Sequence, residues 1–170
     1  AIKNAKEELV NKLVESLPFK LTNAQKKAYA EIKKDLMSDK PMHRLLQGDV
    51  GSGKTIVSLM ALLLAIENGY QTALMAPTEI LVSQHARKFQ EYLNPLGIQV
   101  AMLTGSTPGK IKKEIYQQLA NGQIKIVVGT HSLIQDDVAF SNLGLAIIDE
   151  QHRFGVKQRD ALLKKGNNVE

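Results

Sequence analysis

Gly48-Asp49-Val50-Gly51-Ser52-Gly53-Lys54-Thr55 satisfies the pattern G-x-x-x-x-G-K-[ST] and carries the densest chemical signal in the chain. Glycines at this spacing let successive backbone N–H groups close around phosphate oxygens, and a following helix adds its positive N-terminal end. In that arrangement Lys54 reaches the β- and γ-phosphates of a nucleoside triphosphate, and the Thr55 hydroxyl binds Mg2+. The run Leu145-Ala146-Ile147-Ile148-Asp149-Glu150 is an apolar strand ending in two carboxylates, Asp149 lying ninety-five residues after Lys54. A carboxylate at the carboxyl end of a strand beside a phosphate loop can hold the metal ion, and its neighbour can activate the attacking water. Asp149 is therefore read as the metal partner and Glu150 as the general base, with Lys54 the third catalytic group. Alone, a Gly-rich turn is only a tight strand–helix junction, and an Asp-Glu pair only a common turn. Together they select phosphoanhydride chemistry.

These residues need a frame, and the hydropathy pattern supplies one. Residues 1–17 place Ile2, Leu9, Val10, Leu13, Val14 and Leu17 on one helical stripe that ends before Pro18. Thr22-Asn23-Ala24-Gln25 has the spacing of a capping box and opens a helix to about Ser38. From there strands and helices alternate. His43–Gln47, Gln71–Ala76, Gln99–Leu103, Ile124–Val128 and Leu143–Ile148 are expected strands. Lys54–Asn68, Thr78–Leu93 and Thr107–Ala120 are expected helices, the last with Pro108 near its first turn. The strands are apolar on both faces, which marks a parallel sheet covered on both sides. The fold class that follows is α/β: an open doubly wound, mostly parallel sheet with helices on both faces. The non-periodic stretch 129–142 reads as a functional or surface loop.

Composition narrows the setting. The 170 residues are 44% hydrophobic and 23% charged, ordinary for a globular domain with its own core. There is no Cys, so neither a disulfide framework nor a thiolate metal site is available. The longest apolar stretch is far shorter than the ~20 residues that span a bilayer, and no secretory signal opens the chain. A cytoplasmic setting without a membrane partner is the expectation. The net charge of +5 gathers in separated patches: nine Lys against six acids in residues 1–40, and four Lys against one Glu in 103–125. Separated basic patches suit a polyanion. Alternation of the N-terminal lysines with Glu and Asp at helical spacing is equally the mark of a solvated face.

Four segments together resemble the RecG family of superfamily 2 DNA helicases. They are Leu45–Thr55, Met75-Ala76-Pro77-Thr78-Glu79-Ile80-Leu81, Gly129-Thr130-His131-Ser132-Leu133-Ile134-Gln135, and Asp149-Glu150-Gln151-His152 with Arg153-Phe154-Gly155-Val156. The resemblance runs from about Leu17 to Gly166 in family order. It implies a P-loop NTPase of RecA-like fold that uses ATP and Mg2+, with residues 18–170 as its first RecA-like domain and 1–17 as a linker helix. The transcription-repair coupling translocase is similar here; Glu is expected at position 151 in that protein, so Gln151 favours the RecG reading.

The resemblance also assigns the weaker segments. Phe19 and Gln25 resemble the adenine-recognition motif, Gln25 offering one donor and one acceptor to adenine. Both have plain structural readings, Gln25 as half of a helix cap and Phe19 as a hydrophobic staple. Pro77 and Thr78, Thr104 and Gly105, and Gly129, Thr130 and His131 are implied to contact DNA through its backbone. Each follows an expected strand and so falls on the carboxyl edge where open α/β sheets bind ligands. Thr78 and Thr107 also read as helix caps. His85 reads as structural, and Gln151 and His152 as coupling the nucleotide to a second lobe. Motif III, the second RecA-like domain with its arginine finger, and the wedge domain that recognises branched DNA are not among these residues. Ser83 stands where many relatives carry an acid. The expectation is half of a motor that remodels forks and Holliday junctions. Its rivals are a nucleotide-gated binding module without turnover and, less well matched, an unrelated P-loop kinase or GTPase.

The phosphate loop makes a direct prediction. The chain binds Mg-ATP or ADP weakly, and Lys54→Ala costs roughly 1.5–3 kcal/mol, or ten- to a hundred-fold in affinity, by removing a charge-assisted phosphate contact. Isothermal titration calorimetry measures the difference, and equal binding by both proteins would remove the assignment.

Overall fold

The structure is a computed structural model that describes residues 6–37 and 52–149 and positions 162, 164 and 165. The expected strand His43–Gln47, the first four residues of the phosphate loop, and Glu150, Gln151 and His152 lie outside these residues.

Among the described residues the sheet has four strands, β1 (Gln71–Met75), β2 (Val100–Leu103), β3 (Ile126–Gly129) and β4 (Leu143–Ile148). They pair in the order β2-β3-β1-β4, every pairing parallel. Successive side chains on a strand point to opposite faces, so strands apolar at every position need cover on both. Leu74, Ile126, Val128, Leu145 and Ile147 face one core, packed with α1 (Glu8–Ser16), α2 (Asn23–Leu36), α3 (Ser52–Glu67) and α4 (Glu79–Leu93). Ala73, Met75, Val127, Ala146 and Ile148 face the other, where α5 (Gly109–Ala120) contributes Ile115 and Leu119. The doubly wound architecture read from the sequence is the one observed.

α3 lies at the centre of the first core. Every residue from Thr55 to Ala65 is buried, because the helix is wrapped by α1 and α2 on one side and the sheet on the other. A helix apolar all round is stable only in such a place. It ends at Glu67, and Gly69 just beyond, with φ of 96°, takes the left-handed conformation that favours glycine. The chain then enters β1 at the amino edge of the sheet. A 16-residue helix spans roughly 24 Å at 1.5 Å per residue, so α3 starts back at the carboxyl edge.

α1 is docked by polar contacts as well as by buried Val10 and Leu13. The Glu67 carboxylate, at the end of α3, accepts from the Glu8 and Leu9 amides at 2.8 and 2.7 Å. It thereby caps donors that the first turn of a helix leaves open. Glu7 accepts from the Tyr29 hydroxyl at 2.8 Å and from Lys33 Nζ at 2.9 Å, tying α1 to α2.

The structure departs from the sequence reading in three places. Residues 129–142 are a surface loop only in part: His131–Ile134 is a 3-10 turn, and Leu133, Val138 and Phe140 are buried in the second core. Those apolar residues lack a strand or helix period because the segment winds across the sheet end. Helix α5 begins at Gly109, with Pro108 outside it at the capping position and extended (ψ 145°). Thr107 does not cap it; its Oγ1 accepts from the Thr104 amide at 3.0 Å and closes a turn instead. A 3-10 turn, Asn94–Leu96, links α4 to β2 where no element was expected.

At the amino edge one side chain joins three segments. Gln71 is buried; its Nε2 donates to the Leu119 and Ile124 carbonyls at 2.9 and 2.8 Å, and its Oε1 accepts from the Asn142 amide at 2.8 Å. Gln71→Leu keeps the volume and removes all three bonds. Stability should fall by roughly 1–3 kcal/mol, read as a lower urea midpoint at unchanged slope; an unchanged midpoint would show that the three bonds contribute nothing net.

Candidate functional site

Each described strand delivers its next residue to one edge. Beyond β1 come Ala76, Pro77 and Thr78; beyond β2, Thr104; beyond β3, Thr130; beyond β4, Asp149. The ladder continues one step past the strands, holding these residues level. The Ala76 amide donates to the Gly129 carbonyl at 2.9 Å, Thr130 to Leu103 at 3.2 Å, and Asp149 to Met75 at 2.9 Å. Gly129 is required for this closeness. A Cβ there would sit 2.5 Å from the Leu103 carbonyl oxygen and 2.7 Å from Leu133 Cγ. Packing, whatever else the residue touches, dictates glycine.

Beside β1, Thr78 caps α4: its Oγ1 accepts from the Leu81 amide at 3.2 Å. Thr130 is buried and caps the following 3-10 turn, while His131 is exposed. Thr104, Gly105 and Ser106 form a tight loop in which Ser106 N–H meets Thr104 Oγ1 at 3.3 Å and Lys112 Nζ donates to the Gly105 carbonyl at 3.2 Å. Exposed Glu79, in the first turn of α4, accepts from the same Ser106 amide at 3.1 Å. The result is one ledge of hydroxyls, backbone amides and a helix N-terminus across β2, β3 and β1. Groups of these types can grip phosphate oxygens without reading bases.

Asp149 is wholly buried, and its Oδ2 lies 2.7 Å from Nε2 of His85 on α4. On α3, Lys54 is exposed and Thr55 buried. A hydroxyl on α3 and a held carboxylate after β4 are hard oxygen donors. Mg2+ takes one or two such protein ligands and completes its shell with water and phosphate oxygens. The residues therefore fit the ion, and Thr55 and Asp149 are those that would hold it.

The expected adenine contacts lie around the turn between α1 and α2. Gln25 completes the capping box in full: its amide donates to Thr22 Oγ1 at 3.1 Å, and its Oε1 accepts from the Thr22 amide at 2.9 Å. Phe19 is 44% exposed, so it is no buried staple. It borders a cleft of about 440 Å3 that Val14, Leu17 and Lys26 also line.

Two site residues were not recognised in the sequence. His85 was read as structural, yet it meets Asp149 across sixty-four residues of chain. Its one signal was its position, two turns into the helix that starts at Thr78. Glu79, quoted only as part of a motif, joins two loops that sequence reasoning treated separately.

The family model described as "DEAD/DEAH box helicase" matches residues 22–169. The chain is 58% identical to the ATP-dependent DNA helicase RecG of Thermotoga maritima over 163 residues, covering 96% of this chain and 21% of that protein. Against RecG of Escherichia coli K12 the identity is 53%, covering 96% of this chain and 24% of that one. The chain thus spans about a fifth to a quarter of the length of these curated relatives. Among solved structures, RecG bound to a three-way DNA junction superposes with a TM-score of 0.78 at 40% identity, over 97% of this chain and 25% of that one. The UvsW helicase of bacteriophage T4, at 18% identity and a TM-score of 0.66, shares the fold.

Hydrogen bonds from the Ser106 and Thr104 hydroxyls, with the Ser106 amide, hold the Glu79 carboxyl below its ordinary value of 4.5. A lowered carboxyl contributes above its unfolded value and loses that contribution as pH falls through the folded one. The Ser106 amide resonance should therefore titrate with a midpoint below 4.5, with Glu79→Gln abolishing the step. NMR titration checks this, and a step at or above the ordinary value would separate the two residues.

Proposed function

The chain belongs to the DEAD/DEAH box helicase family, and from that premise we propose that it is the ATP-binding motor domain of a RecG-type DNA translocase, which couples ATP hydrolysis to remodelling branched DNA in recombination and repair. In this reading residues 18–170 are the first RecA-like domain and 1–17 a linker helix. The partners are branched duplex DNA, gripped by its backbone, and a second RecA-like domain and a wedge domain of the same protein. The setting is cytoplasmic. One observation carries the proposal: the N-terminal end of α3, the buried Asp149 and the hydroxyl-lined ledge share a single sheet edge. Nucleotide and nucleic-acid backbone can then lie side by side on it.

The residues divide the work. Gly48 to Thr55 cradle the triphosphate, with Lys54 on its terminal phosphates; Thr55 and Asp149 hold Mg2+. Bound there, the ion neutralises charge on the β- and γ-phosphate oxygens. Glu150 takes the proton from the attacking water. Phe19, exposed beside a cleft, offers a face for the adenine ring, and Gln25 an amide whose carbonyl also serves the helix cap. Pro77, Thr78, Thr104, Gly105, Gly129, Thr130 and His131 lie along the DNA track, and Gln151 and His152 pass the nucleotide state to the second lobe. That lobe would supply an arginine against the charge developing on the γ-phosphate, worth ~10³–10⁵ in rate in related NTPases.

The test is steady-state ATPase of the full-length protein with forked and with linear duplex DNA. Forked DNA should stimulate turnover more. Glu150→Gln should keep ATP binding and lose turnover by ~10²–10⁴-fold, the contribution of a positioned base. The 170-residue chain alone should neither unwind DNA nor hydrolyse ATP at a useful rate. Near-normal turnover by Glu150→Gln would move the base elsewhere, and robust DNA-stimulated turnover by the short chain would end the two-lobe mechanism.

A further inference from the structure

His85 lies in the middle of α4, and its Nε2 is 2.7 Å from Oδ2 of Asp149. Asp149 is entirely buried, while the His85 side chain keeps 14% of its surface exposed. An ionised carboxylate can only accept, so Nε2 carries the proton in this bond. The ring itself is held: Phe89, one turn further along α4 and fully buried, packs against it at a centroid distance of 6.3 Å and a tilt of 49°. The Asp149 backbone is fixed separately, by its amide on the Met75 carbonyl at 2.9 Å. With the main chain pinned to β1 and one carboxylate oxygen pinned to α4, rotation of the carboxylate is fixed from two elements.

We infer that His85 is a positioning residue for the metal site: its Nε2–H orients the Asp149 carboxylate for Mg2+. The inference rests on the reading of Asp149 as a metal ligand. Groups that orient a ligand in this way contribute to metal affinity nearly as the ligands do, and their removal typically costs ten- to a hundred-fold. A histidine that served only to fill the core would affect stability and leave the metal requirement alone. α4 also begins at the ledge, with Thr78 as its cap and Glu79 bonded to Ser106, so the same helix supports both halves of the edge.

The experiment uses the full-length protein and Mn2+ as the probe, its binding in the presence of ADP followed by electron paramagnetic resonance. Alongside it runs the Mg2+ concentration giving half-maximal ATPase. His85→Asn shortens the side chain and withdraws the donor, and should weaken Mn2+ and raise the Mg2+ requirement roughly ten- to a hundred-fold. His85→Gln places an amide N–H near the position of Nε2 and should stay within a few-fold of the wild type. ADP binding without metal serves as the check that both variants are folded. Equal Mn2+ affinity in His85→Asn and wild type would overturn the inference, as would equal losses in His85→Asn and His85→Gln, since the donor would then be irrelevant. Asp149→Asn separates the two levels of the argument. If it weakens Mn2+ while His85→Asn does not, only the role of His85 falls. If it leaves Mn2+ unchanged, the reading of Asp149 as a ligand falls, and the role of His85 with it.

Discussion

A parallel sheet whose strands are apolar on both faces must be covered on both, and this constraint shapes the rest of the molecule. Helices α1 to α4 close one face and α5 with the 129–142 segment closes the other. Because all pairings are parallel, every described strand ends on the same rim. Asp149, Thr130, Thr104 and Thr78 meet there although they are far apart in sequence. The positive end of a helix that starts at Ser52 faces the same way, since α3 must run antiparallel to the strand that follows it.

The two rims are built differently. At the amino edge the polar groups are consumed internally: Gln71 satisfies segments from α5, β3 and β4, and Asn142 donates back to Gly69 at 2.9 Å. Buried polar groups of this kind stabilise only when every partner is present. At the carboxyl edge the hydroxyls and amides bond to one another in short local turns, with Glu79 and Lys112 tied in from the surface. Groups held this way keep their direction and stay within reach of a ligand. One rim is closed and the other is presented.

Electrostatics follow the same division. The strand ends carry negative charge inward, where Asp149 is buried against His85. Lys110 and Lys113 stand exposed near the start of α5, and Lys112 reaches over the loop at Gly105. A buried carboxylate suits a metal ion, and exposed lysines near hydroxyls suit a phosphate backbone.

Much of this was legible in the chain because the signals are local. The capping box at Thr22 and Gln25, the helix cap at Thr78, and the apolar runs of β1, β3 and β4 each depend on residues within a few positions of one another. The strand–helix alternation then left one architecture, and the spacing of Gly48 to Thr55 carried its chemistry without any fold at all. Periodicity failed at 129–142, where Leu133, Val138 and Phe140 are buried by a turn that crosses the sheet end rather than by a regular element. It also failed at Pro108, where the Thr104–Thr107 turn displaced the helix start. The partners of Asp149 and Glu79 were beyond its reach for a stronger reason. His85 meets Asp149, and Glu79 meets Ser106, only because β1 lies between β3 and β4 in the sheet and α4 lies across them. The sequence by itself therefore named the candidates for holding phosphate, metal and proton. Only the tertiary structure decided which of them touch, because contact across sixty residues is set by strand order and helix packing, which no local pattern encodes.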